Sequence, residues 1–378
     1  MKLSFRDESY TTKGVYLLVL YSSVVLETLA LPTPALAPTS WSWLTRLTSS
    51  SALSQRSTPS TSFDNISFAD IVQLGAHDSM AIGPYIVDNQ HLNLTAQLDL
   101  GIRLLQAQGH PWTSPSPSNP SGISLCHTSC YLQNGGYLED WLREILSWMD
   151  GNPEEIVSVL LTNPEGVAIE NWARGFESVN AHKRSFIPTK ASLRRDEWPT
   201  YGQMREASQT LVMILDRGAD FSKYPYIINE FGNIWENAYD QTTLPFNCSV
   251  DRGSKPQERL GLINRFLNDE VIGIGIKYPD KDLLEHVNAA QGAEGVLSGF
   301  RNCTEQHGGT RPTFVMVNFS DLPKYGGPLD AVRLLNNITS AGAGETAAPR
   351  PSSVASKVVE QGWLLTMMLG MTFSMILL

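Results

Sequence analysis

Two histidines that each follow an apolar run are the residues of this sequence best placed for acid–base chemistry. His77 lies in the segment AHDS after the run ADIVQL, and His127 follows the short run GISLC. Cleavage of a phosphodiester by internal attack needs a base for the attacking hydroxyl and an acid for the leaving alkoxide, and imidazole can serve as either near neutral pH. The adjacent carboxylate of Asp78 can orient an imidazole and favour its charged form. His77, His127 and Asp78 are therefore the candidate catalytic residues.

Further polar segments follow apolar runs in the same way. They are residues 106–110 (QAQGH), 162–165 (TNPE), 216–217 (DR) and 318–321 (NFSD). In a β/α barrel the carboxyl ends of the strands meet on one face, which carries the reactive groups. His110 and Asp216 are also compatible with residues that simply end a strand. We expect these segments to surround the two histidines.

The elements that would position these residues alternate between short apolar runs and helical patterns. Residues 69–74, 102–107, 122–125, 155–161, 210–215 and 313–317 are predicted as strands, and residues 92–100, 138–149 and 329–335 as helices. Such alternation predicts a parallel sheet in an α/β fold. A domain of about 275 residues suits a TIM-type (β/α) barrel. Because residues 224–309 show no clear pattern and eight strands cannot be counted, we predict a distorted or incomplete barrel.

Composition excludes several other classes of protein. The 378 residues include 28 Lys and Arg against 38 Asp and Glu, a formal charge of −10. A nucleic-acid partner would require a basic surface and is excluded. The hydrophobic fraction of 42% is too high for a disordered chain.

The amino-terminal segment has the features of a targeting signal. Residues 1–37 combine a slightly basic start, a short uncharged apolar run and small residues near Ala30 and Ala37. That pattern predicts a secretory signal peptide, with a buried strand or helix as the alternative. Residues 38–62 follow as a Ser/Thr-rich linker.

The carboxyl-terminal segment predicts a second targeting signal. Residues 362–378 are apolar apart from small polar residues and carry no charge, and residues 339–361 before them are rich in small residues. Small residues, a polar spacer and an apolar tail are the pattern of a GPI-attachment signal. A retained transmembrane helix is the competing interpretation. We therefore expect residues 63–338 to form the folded domain of a secreted, GPI-anchored protein at the outer face of the plasma membrane or in the cell wall.

The cysteines and glycosylation sequons agree with passage through the secretory pathway. Of the three possible pairings, Cys126–Cys130 with Cys248–Cys303 is the most natural, and the spacing does not favour a zinc site. The candidate glycosylation sites are Asn65, Asn93, Asn247, Asn302 and Asn337. A sixth sequon at Asn318 lies in an apolar run and is the poorest acceptor.

The order of three motifs resembles the X-domain of phosphatidylinositol-specific phospholipase C, and most of all the secreted fungal PLC-like phosphodiesterases. The motifs are LGAHDSM followed by GIRLLQAQGH, then LCHTSC, then a helix that ends in WMDGNPEEIVSVLL. The resemblance covers about residues 65–335 and implies a distorted TIM barrel. It implies that His77 is the general base for the inositol 2-hydroxyl and His127 the general acid for the leaving group. It also implies that Asp78 helps to position the acid, and that Arg103 has either a structural role or a phosphate contact.

The sequence departs from the family pattern at the positions that neutralise the phosphate. Calcium-dependent members carry acidic residues where this chain has Gln106 and Gln108, and a glutamate where it has Thr162. Metal-independent bacterial members place an arginine at the position of Gln108. Since a hard cation prefers several carboxylate ligands, we expect no metal and no other cofactor. The candidates for substrate or phosphate binding are Arg103, Gln108, His110, Arg217 and Asn318. In bacterial members a carboxylate backs the first histidine, and here Asn318, or less directly Asp321, takes its place.

These observations favour a metal-independent phosphodiesterase with a two-histidine mechanism. Its expected substrate is a phosphodiester such as a phosphoinositide or a glycosylphosphatidylinositol. The uncharged Gln106 and Gln108 leave a second interpretation open, a catalytically weak or inactive barrel that acts as a cell-surface binding module. A third interpretation is a metal-dependent enzyme of the glycerophosphodiesterase or sphingomyelinase D kind, which would need a carboxylate cluster on the second strand.

Overall fold

The structure, a computed structural model, describes residues 63–271 and 276–337. The predicted signal peptide, the Ser/Thr-rich linker, the GPI-attachment region and the apolar tail lie outside these residues. Within the described residues no helix is both long enough and apolar enough to cross a membrane.

Thirteen strands and eight α-helices make up the described part of the chain. The strands are β1 (Gln73–Ala76), β2 (Leu104–His110), β3 (Ser124–Cys126), β4 (Asn134–Tyr137), β5 (Val157–Thr162), β6 (Leu211–Leu215), β7 (Ile227–Asn229), β8 (Ile234–Asn237), β9 (Val250–Arg252), β10 (Leu260–Asn264), β11 (Asn268–Val271), β12 (Ile276–Pro279) and β13 (Phe314–Val317). The helices are α1 (Leu94–Leu100), α2 (Leu138–Gly151), α3 (Ile169–Ser178), α4 (Tyr201–Glu206), α5 (Glu230–Asn233), α6 (Leu284–Asn288), α7 (Val296–Gln306) and α8 (Pro328–Leu335).

Eight of the strands pair in parallel and form an incomplete β/α barrel. Their order in the sheet is β7-β6-β5-β2-β1-β13-β10-β8, and β9 pairs antiparallel with β8 at the edge. This order follows the chain around a ring, with no ladder between β7 and β8 among the described residues. The predicted α/β fold with a distorted or incomplete TIM-type barrel is therefore confirmed.

The prediction that residues 122–125 form a strand of the barrel was wrong. The run at residues 122–125 corresponds to β3, which pairs antiparallel with the end of β2 and with β4. It is a hairpin strand attached to the barrel, and His127 follows this hairpin instead of a barrel strand. The apolar composition of so short a run does not distinguish parallel from antiparallel pairing, because both place buried side chains on one face of the strand.

Two layers of apolar side chains hold the sheet in place. Residues that alternate along each strand face either the inside of the barrel, as Leu104 and Phe314 do, or the outer helices, as Leu105 and Val315 do. The helix α2 joins the outer layer through its apolar face, with Leu142 and Ile145 fully buried. The strands of β5 and β6 are near-continuous apolar runs because both of their faces are covered.

Local signals set the boundaries of several elements. The side chain of Asn93 accepts a hydrogen bond from the backbone of Ala96 at the start of α1, and Gly101 ends this helix in a left-handed conformation with φ of 118°. The predicted first strand starts later than expected, because Phe68–Asp70 forms a 3₁₀ helix. Both expected disulfides are formed, Cys126–Cys130 after β3 and Cys248–Cys303 between the segment before β9 and helix α7.

Candidate active site

The carboxyl ends of two neighbouring strands, β1 and β13, bring His77 and Asn318 together. Atom Nδ1 of His77 lies 2.9 Å from Oδ1 of Asn318 and 2.9 Å from Nδ2 of Asn89. The two amides also bond to each other, Nδ2 of Asn89 donating to Oδ1 of Asn318 over 3.0 Å. One amide offers an acceptor and the other a donor, so either tautomer of the imidazole finds a partner.

The carboxylate of Asp78 lies between the two histidines. Its Oδ2 is 3.4 Å from Nε2 of His77 and 3.5 Å from Nε2 of His127, and the side chain is fully buried. Nε2 of Gln108 donates to both carboxylate oxygens, over 3.1 and 3.0 Å. Burial of a carboxylate is costly without polar partners, and here the partners are two imidazoles and one amide.

The backbone is strained directly after each of the three residues that meet here. Asp78, Thr128 and Phe319 follow His77, His127 and Asn318, and have positive φ values of 41°, 59° and 44°. Non-glycine residues rarely adopt this conformation. Each turn redirects the chain at the end of a strand or hairpin, and sites of function commonly hold such strain.

The ring of His77 is largely buried, with 12% of its side chain exposed, and is stacked on an aromatic neighbour. Its centroid lies 3.9 Å from that of Phe266, with the planes at 10° to each other. Burial is the main cause that lowers the pKa of His77 below its ordinary value; Asp78 raises it, His127 lowers it, and the contact with Asn318 raises it. A lowered pKa favours the neutral imidazole, which is the form that can accept a proton.

His127 is held in a defined orientation by the backbone of another loop. Its Nδ1 donates to the carbonyl oxygen of Val87 over 2.7 Å, which directs Nε2 towards Asp78. The Cys126–Cys130 disulfide closes the turn that carries this histidine. The backbone N–H of Thr128 donates to Oε1 of Gln108, so the same turn also orients the amide beside Asp78.

A cleft of about 230 Å³ extends from His77 and Gln108 across the carboxyl face of the sheet. Its other lining includes the carboxylates of Asp216, Glu230 and Glu236 and the guanidinium groups of Arg217 and Arg252. Five residues around the site were not predicted from the sequence: Asn89, Phe266, Glu230, Glu236 and Arg252. Only Glu236 had a usable signal, since it follows the apolar pair Ile234-Trp235.

The other predicted site residues are distributed differently from our expectation. Arg103 precedes β2 at the opposite end of the barrel, where its Nε pairs with Oε2 of Glu155 over 2.9 Å and its side chain lies over Trp148. The phosphate contact considered for Arg103 was therefore wrong, because an arginine at the amino end of a strand cannot reach the carboxyl face. Nδ1 of His110 pairs with Glu165 over 2.8 Å, and Arg217 lines the cleft with its Nη1 donating to the carbonyl oxygen of Pro164.

Gln106 and Gln108, the two positions considered for calcium in the sequence, do not fit a calcium ion. Oε1 of Gln106 accepts a hydrogen bond from the backbone of Asp78 over 2.7 Å, and Gln108 turns its amide nitrogen towards the same residue. Neither side chain is available as a metal ligand in this arrangement. Within residues 63–271 and 276–337, no group of three or more His, Cys, Asp or Glu side chains is arranged to hold a metal ion.

The candidate glycosylation sites share one property in the structure. All five are exposed, namely Asn65, Asn93, Asn247, Asn302 and Asn337. The sixth sequon, at Asn318, is buried beside His77. Attachment of glycans at these residues remains a prediction.

Known proteins resemble this chain in sequence and in structure. The family model described as PI-PLC X 1 matches residues 65–336. PI-PLC X domain-containing protein 1 of Arthroderma benhamiae is 32% identical over 275 residues, which cover 72% of this chain and 86% of that protein. An uncharacterized secreted protein of the same organism is 32% identical over 304 residues, covering 78% of this chain and 66% of that protein. Among solved structures, phosphatidylinositol-specific phospholipase C from Listeria monocytogenes is similar with a TM-score of 0.46 and 15% identity, over 73% of this chain and 95% of that one.

Proposed function

The chain belongs to the PI-PLC X-domain family, and from that membership we propose that it is a phospholipase C-type phosphodiesterase with His77 and His127 as its acid–base pair. The observation that carries the proposal is the placement of both Nε2 atoms within 3.5 Å of one carboxylate oxygen of Asp78. Two imidazoles on either side of one buried charge can exchange protons with opposite ends of a phosphodiester.

In the first half of the proposed reaction, His77 acts as the base. With its Nδ1–H donating to Asn318, the lone pair of Nε2 faces the cleft region near Asp78. It accepts the proton of a substrate hydroxyl next to the phosphate, and the hydroxyl oxygen attacks phosphorus. Burial favours the neutral ring by lowering the pKa of His77, so the base form is present at neutral pH.

In the second half, His127 acts as the acid. Its Nδ1–H is committed to Val87, and the carboxylate of Asp78 stabilises a proton on Nε2. That proton passes to the leaving alkoxide as the bond between phosphorus and the alkoxide oxygen breaks, and a cyclic phosphodiester remains. Until that transfer, the protonated ring of His127 supplies positive potential near the phosphate, because Gln108 at the position of the bacterial arginine is uncharged.

A rim of exposed apolar side chains supports a substrate presented at a lipid surface. This apolar rim consists of Tyr85, Ile86, Trp112, Tyr131 and Leu132. Tyr85 and Tyr131 are 72% and 87% exposed, and the rings of Trp112 and Tyr131 contact at 4.5 Å. Tyr85 and Ile86 directly precede Val87, the partner of His127, and Tyr131 and Leu132 follow the His127 turn. Trp112 follows β2 and joins the rim through Tyr131. Exposed aromatic and aliphatic side chains of this kind favour the membrane–water interface.

We place this activity outside the cell, at the outer leaflet of the plasma membrane or in the cell wall. The printed name of one relative describes a secreted protein, and two disulfides agree with an oxidising compartment. The predicted signal peptide and GPI-attachment signal would deliver and anchor the domain there.

The test is an assay of the purified protein on phosphatidylinositol and on a glycosylphosphatidylinositol substrate, with EDTA present. Turnover should survive EDTA and fall at least about 100-fold in His77→Ala and in His127→Ala. His286→Ala, which alters an exposed histidine on α6, serves as the matched control and should retain activity.

Each of the other possible outcomes would contradict one part of this proposal. Turnover that persists in both histidine variants would rule out the two-histidine mechanism. Loss of turnover with EDTA would support the metal-dependent alternative. Retained ligand binding without any turnover would support the binding-module interpretation that Gln106 and Gln108 motivate.

A further inference from the structure

A short segment between β1 and α1 contacts both proposed catalytic histidines. The carbonyl oxygen of Val87 accepts a hydrogen bond from Nδ1 of His127 over 2.7 Å. Further along the segment, Nδ2 of Asn89 lies 2.9 Å from Nδ1 of His77. Nε2 of Gln90 then donates to the carbonyl oxygen of His77 over 2.8 Å. Of these three residues, Asn89 is the one whose side chain meets an imidazole ring.

Two backbone hydrogen bonds fix the position of Asn89. Its N–H donates to the carbonyl oxygen of Ala81 over 2.9 Å, and its carbonyl oxygen accepts from the N–H of Phe319 over 2.8 Å. Asn89 and its neighbour Asn318 are both 1% exposed, so water competes little with the contacts of their side chains. The amide of Asn89 is therefore held beside the ring of His77.

The hydrogen bonds of Asn89 differ from those of two neighbouring buried amides. Gln90 and Asn288 donate to backbone carbonyl oxygens, which ties the surrounding loops together. In the described part of the chain, the side chain of Asn89 bonds only to the side chains of His77 and Asn318, and its Oδ1 has no partner. A buried amide oxygen without a partner costs free energy. A residue that served only to hold the loop would not need to carry this cost.

Three polar atoms form a nearly equilateral triangle at this point. Nδ1 of His77, Oδ1 of Asn318 and Nδ2 of Asn89 are separated by 2.9, 2.9 and 3.0 Å. Seen from Nδ2, the other two atoms are therefore about 60° apart, whereas the two N–H bonds of an amide diverge by about 120°. Asn89 can direct a well-aligned hydrogen bond at only one of them, the oxygen of Asn318 or the ring nitrogen of His77.

The direction of this N–H decides which nitrogen of neutral His77 carries the hydrogen. If Asn89 donates to Asn318, the amide oxygen still has a lone pair for the Nδ1–H of His77, and Nε2 remains free to accept a proton. If Asn89 donates to Nδ1, the hydrogen lies on Nε2 and faces Asp78. In that tautomer Nε2 cannot act as the base for a substrate hydroxyl.

We propose that Asn89 is a positioning residue that donates to Oδ1 of Asn318, keeps that oxygen turned to the ring, and so holds the hydrogen of neutral His77 on Nδ1. Without Asn89, the Asn318 amide could rotate and present its own N–H to Nδ1, which favours the other tautomer. The inference rests on the proposed function, because it concerns how His77 becomes a base. Asn89 acts through Asn318 and His77 and not by contact with the reacting atoms.

The first test reads the tautomer of His77 directly and needs no substrate. Nitrogen chemical shifts of isotope-labelled imidazole distinguish Nδ1–H from Nε2–H, and the His77 signals are identified by their loss in His77→Ala. At about pH 8 the ring is neutral, because its pKa is lowered below 6.5. We expect Nδ1–H in the unmodified protein and a large fraction of Nε2–H in Asn89→Leu. Asn119→Leu, which removes an equally buried amide bonded to Thr113 and Ser121, is the matched control and should keep Nδ1–H.

Asn89→Asp separates the hydrogen bond from a merely structural role. The carboxylate cannot donate to Asn318, but it accepts the Nδ1–H of His77 itself, so the Nδ1–H tautomer should persist. The added negative charge should shift the acid limb of the pH–rate profile, or the NMR titration of His77, to higher pH. The other titratable groups that face the ring, Asp78 and His127, are the same in both proteins.

Kinetics shows whether the tautomer matters for turnover. Asn89→Leu should lower kcat on phosphatidylinositol about tenfold with little change in KM, an effect in the range of one buried hydrogen bond. The NMR measurement decides the inference even if no phosphodiester is turned over, which separates it from the catalytic proposal. Nε2–H in the unmodified protein, or an unchanged tautomer in folded Asn89→Leu, overturns it. If Asn89→Leu does not fold, an unshifted His77 titration in Asn89→Asp overturns it, and a shift to higher pH with Nδ1–H retained supports it.

Discussion

Nδ1 of His77 lies 2.9 Å from the amide oxygen of Asn318. The partner of the proposed base is thus a neutral amide, which fixes the ring through a hydrogen bond but adds no negative charge. A carboxylate at the same place would stabilise the imidazolium form. The neutral partner agrees with a base whose pKa is lowered by burial.

The first prediction concerns the acid side of the pH–rate profile. His77 must be neutral to accept a proton, so kcat/KM should fall only as the pH drops below the pKa of His77. Because burial lowers that pKa, we expect the fall to begin below about pH 6.5, the ordinary value for histidine. The profile of the purified protein checks this, and a fall that begins above pH 7 would contradict it.

Asn318→Asp should shift the acid limb of the pH–rate profile to higher pH. A carboxylate beside Nδ1 favours the protonated ring and raises the pKa of His77, so the decline in kcat/KM should begin about one pH unit higher than in the unmodified protein. Parallel pH profiles of the two proteins provide the measurement. An unshifted limb in a folded variant would show that Asn318 does not act on His77.

Asp78→Asn should impair both proton transfers at once. The substitution keeps the shape of the side chain and removes the charge that Nε2 of each histidine faces at 3.4 and 3.5 Å. We expect kcat to fall about 100-fold, within the range of general acid–base catalysis, with a smaller change in KM. Steady-state kinetics measures the effect, and Asp196→Asn, an exposed change, is the control. An unchanged kcat would show that the charge of Asp78 takes no part in catalysis.

The apolar rim should matter only when the substrate is part of a membrane. Tyr131→Ala removes its most exposed ring, so activity on phosphatidylinositol vesicles should fall about fivefold, while activity on a soluble short-chain substrate stays the same. Ile187→Ala, which alters an exposed apolar residue near the start of β6, is the control. An equal loss on both substrates would indicate damage to the site itself.

Loss of the two disulfides should have unequal effects on stability. Cys248–Cys303 closes 55 residues and Cys126–Cys130 closes four. Loop-closure entropy then predicts that the free energy of unfolding falls by about 4 kcal/mol for the Cys248→Ser/Cys303→Ser variant and about 2 kcal/mol for Cys126→Ser/Cys130→Ser. Urea unfolding measures both. The second variant should lose more activity, since its turn carries His127; the reverse pattern would contradict this account.

The fold class and the three residues proposed for catalysis could be found without coordinates because their signals are local. The runs of β5 and β6 are apolar on both faces, and α2 begins at the predicted Leu138 because its apolar face repeats with the helical period. The segment AHDS follows β1, so the end of a barrel strand carries His77 and Asp78 as predicted.

Residues 224–309 could not be interpreted in the same way. They contain three of the eight parallel strands, β7, β8 and β10, but each strand has only three to five residues. So short a run carries too little periodicity to be recognised. Three charged residues that line the cleft come from this region: Glu230, Glu236 and Arg252.

The amino-acid sequence by itself therefore determined which chemical groups the chain carries and on which elements they stand. The tertiary structure decided which of them meet. Asn318 contacts His77 although 241 positions of the chain separate them, and Phe266 stacks on the same ring. Arg103 matches the family motif but lies at the amino end of β2, away from the site. Such contacts depend on strand order and on the direction in which each side chain leaves the sheet, and these follow from packing between distant segments, which no local pattern encodes.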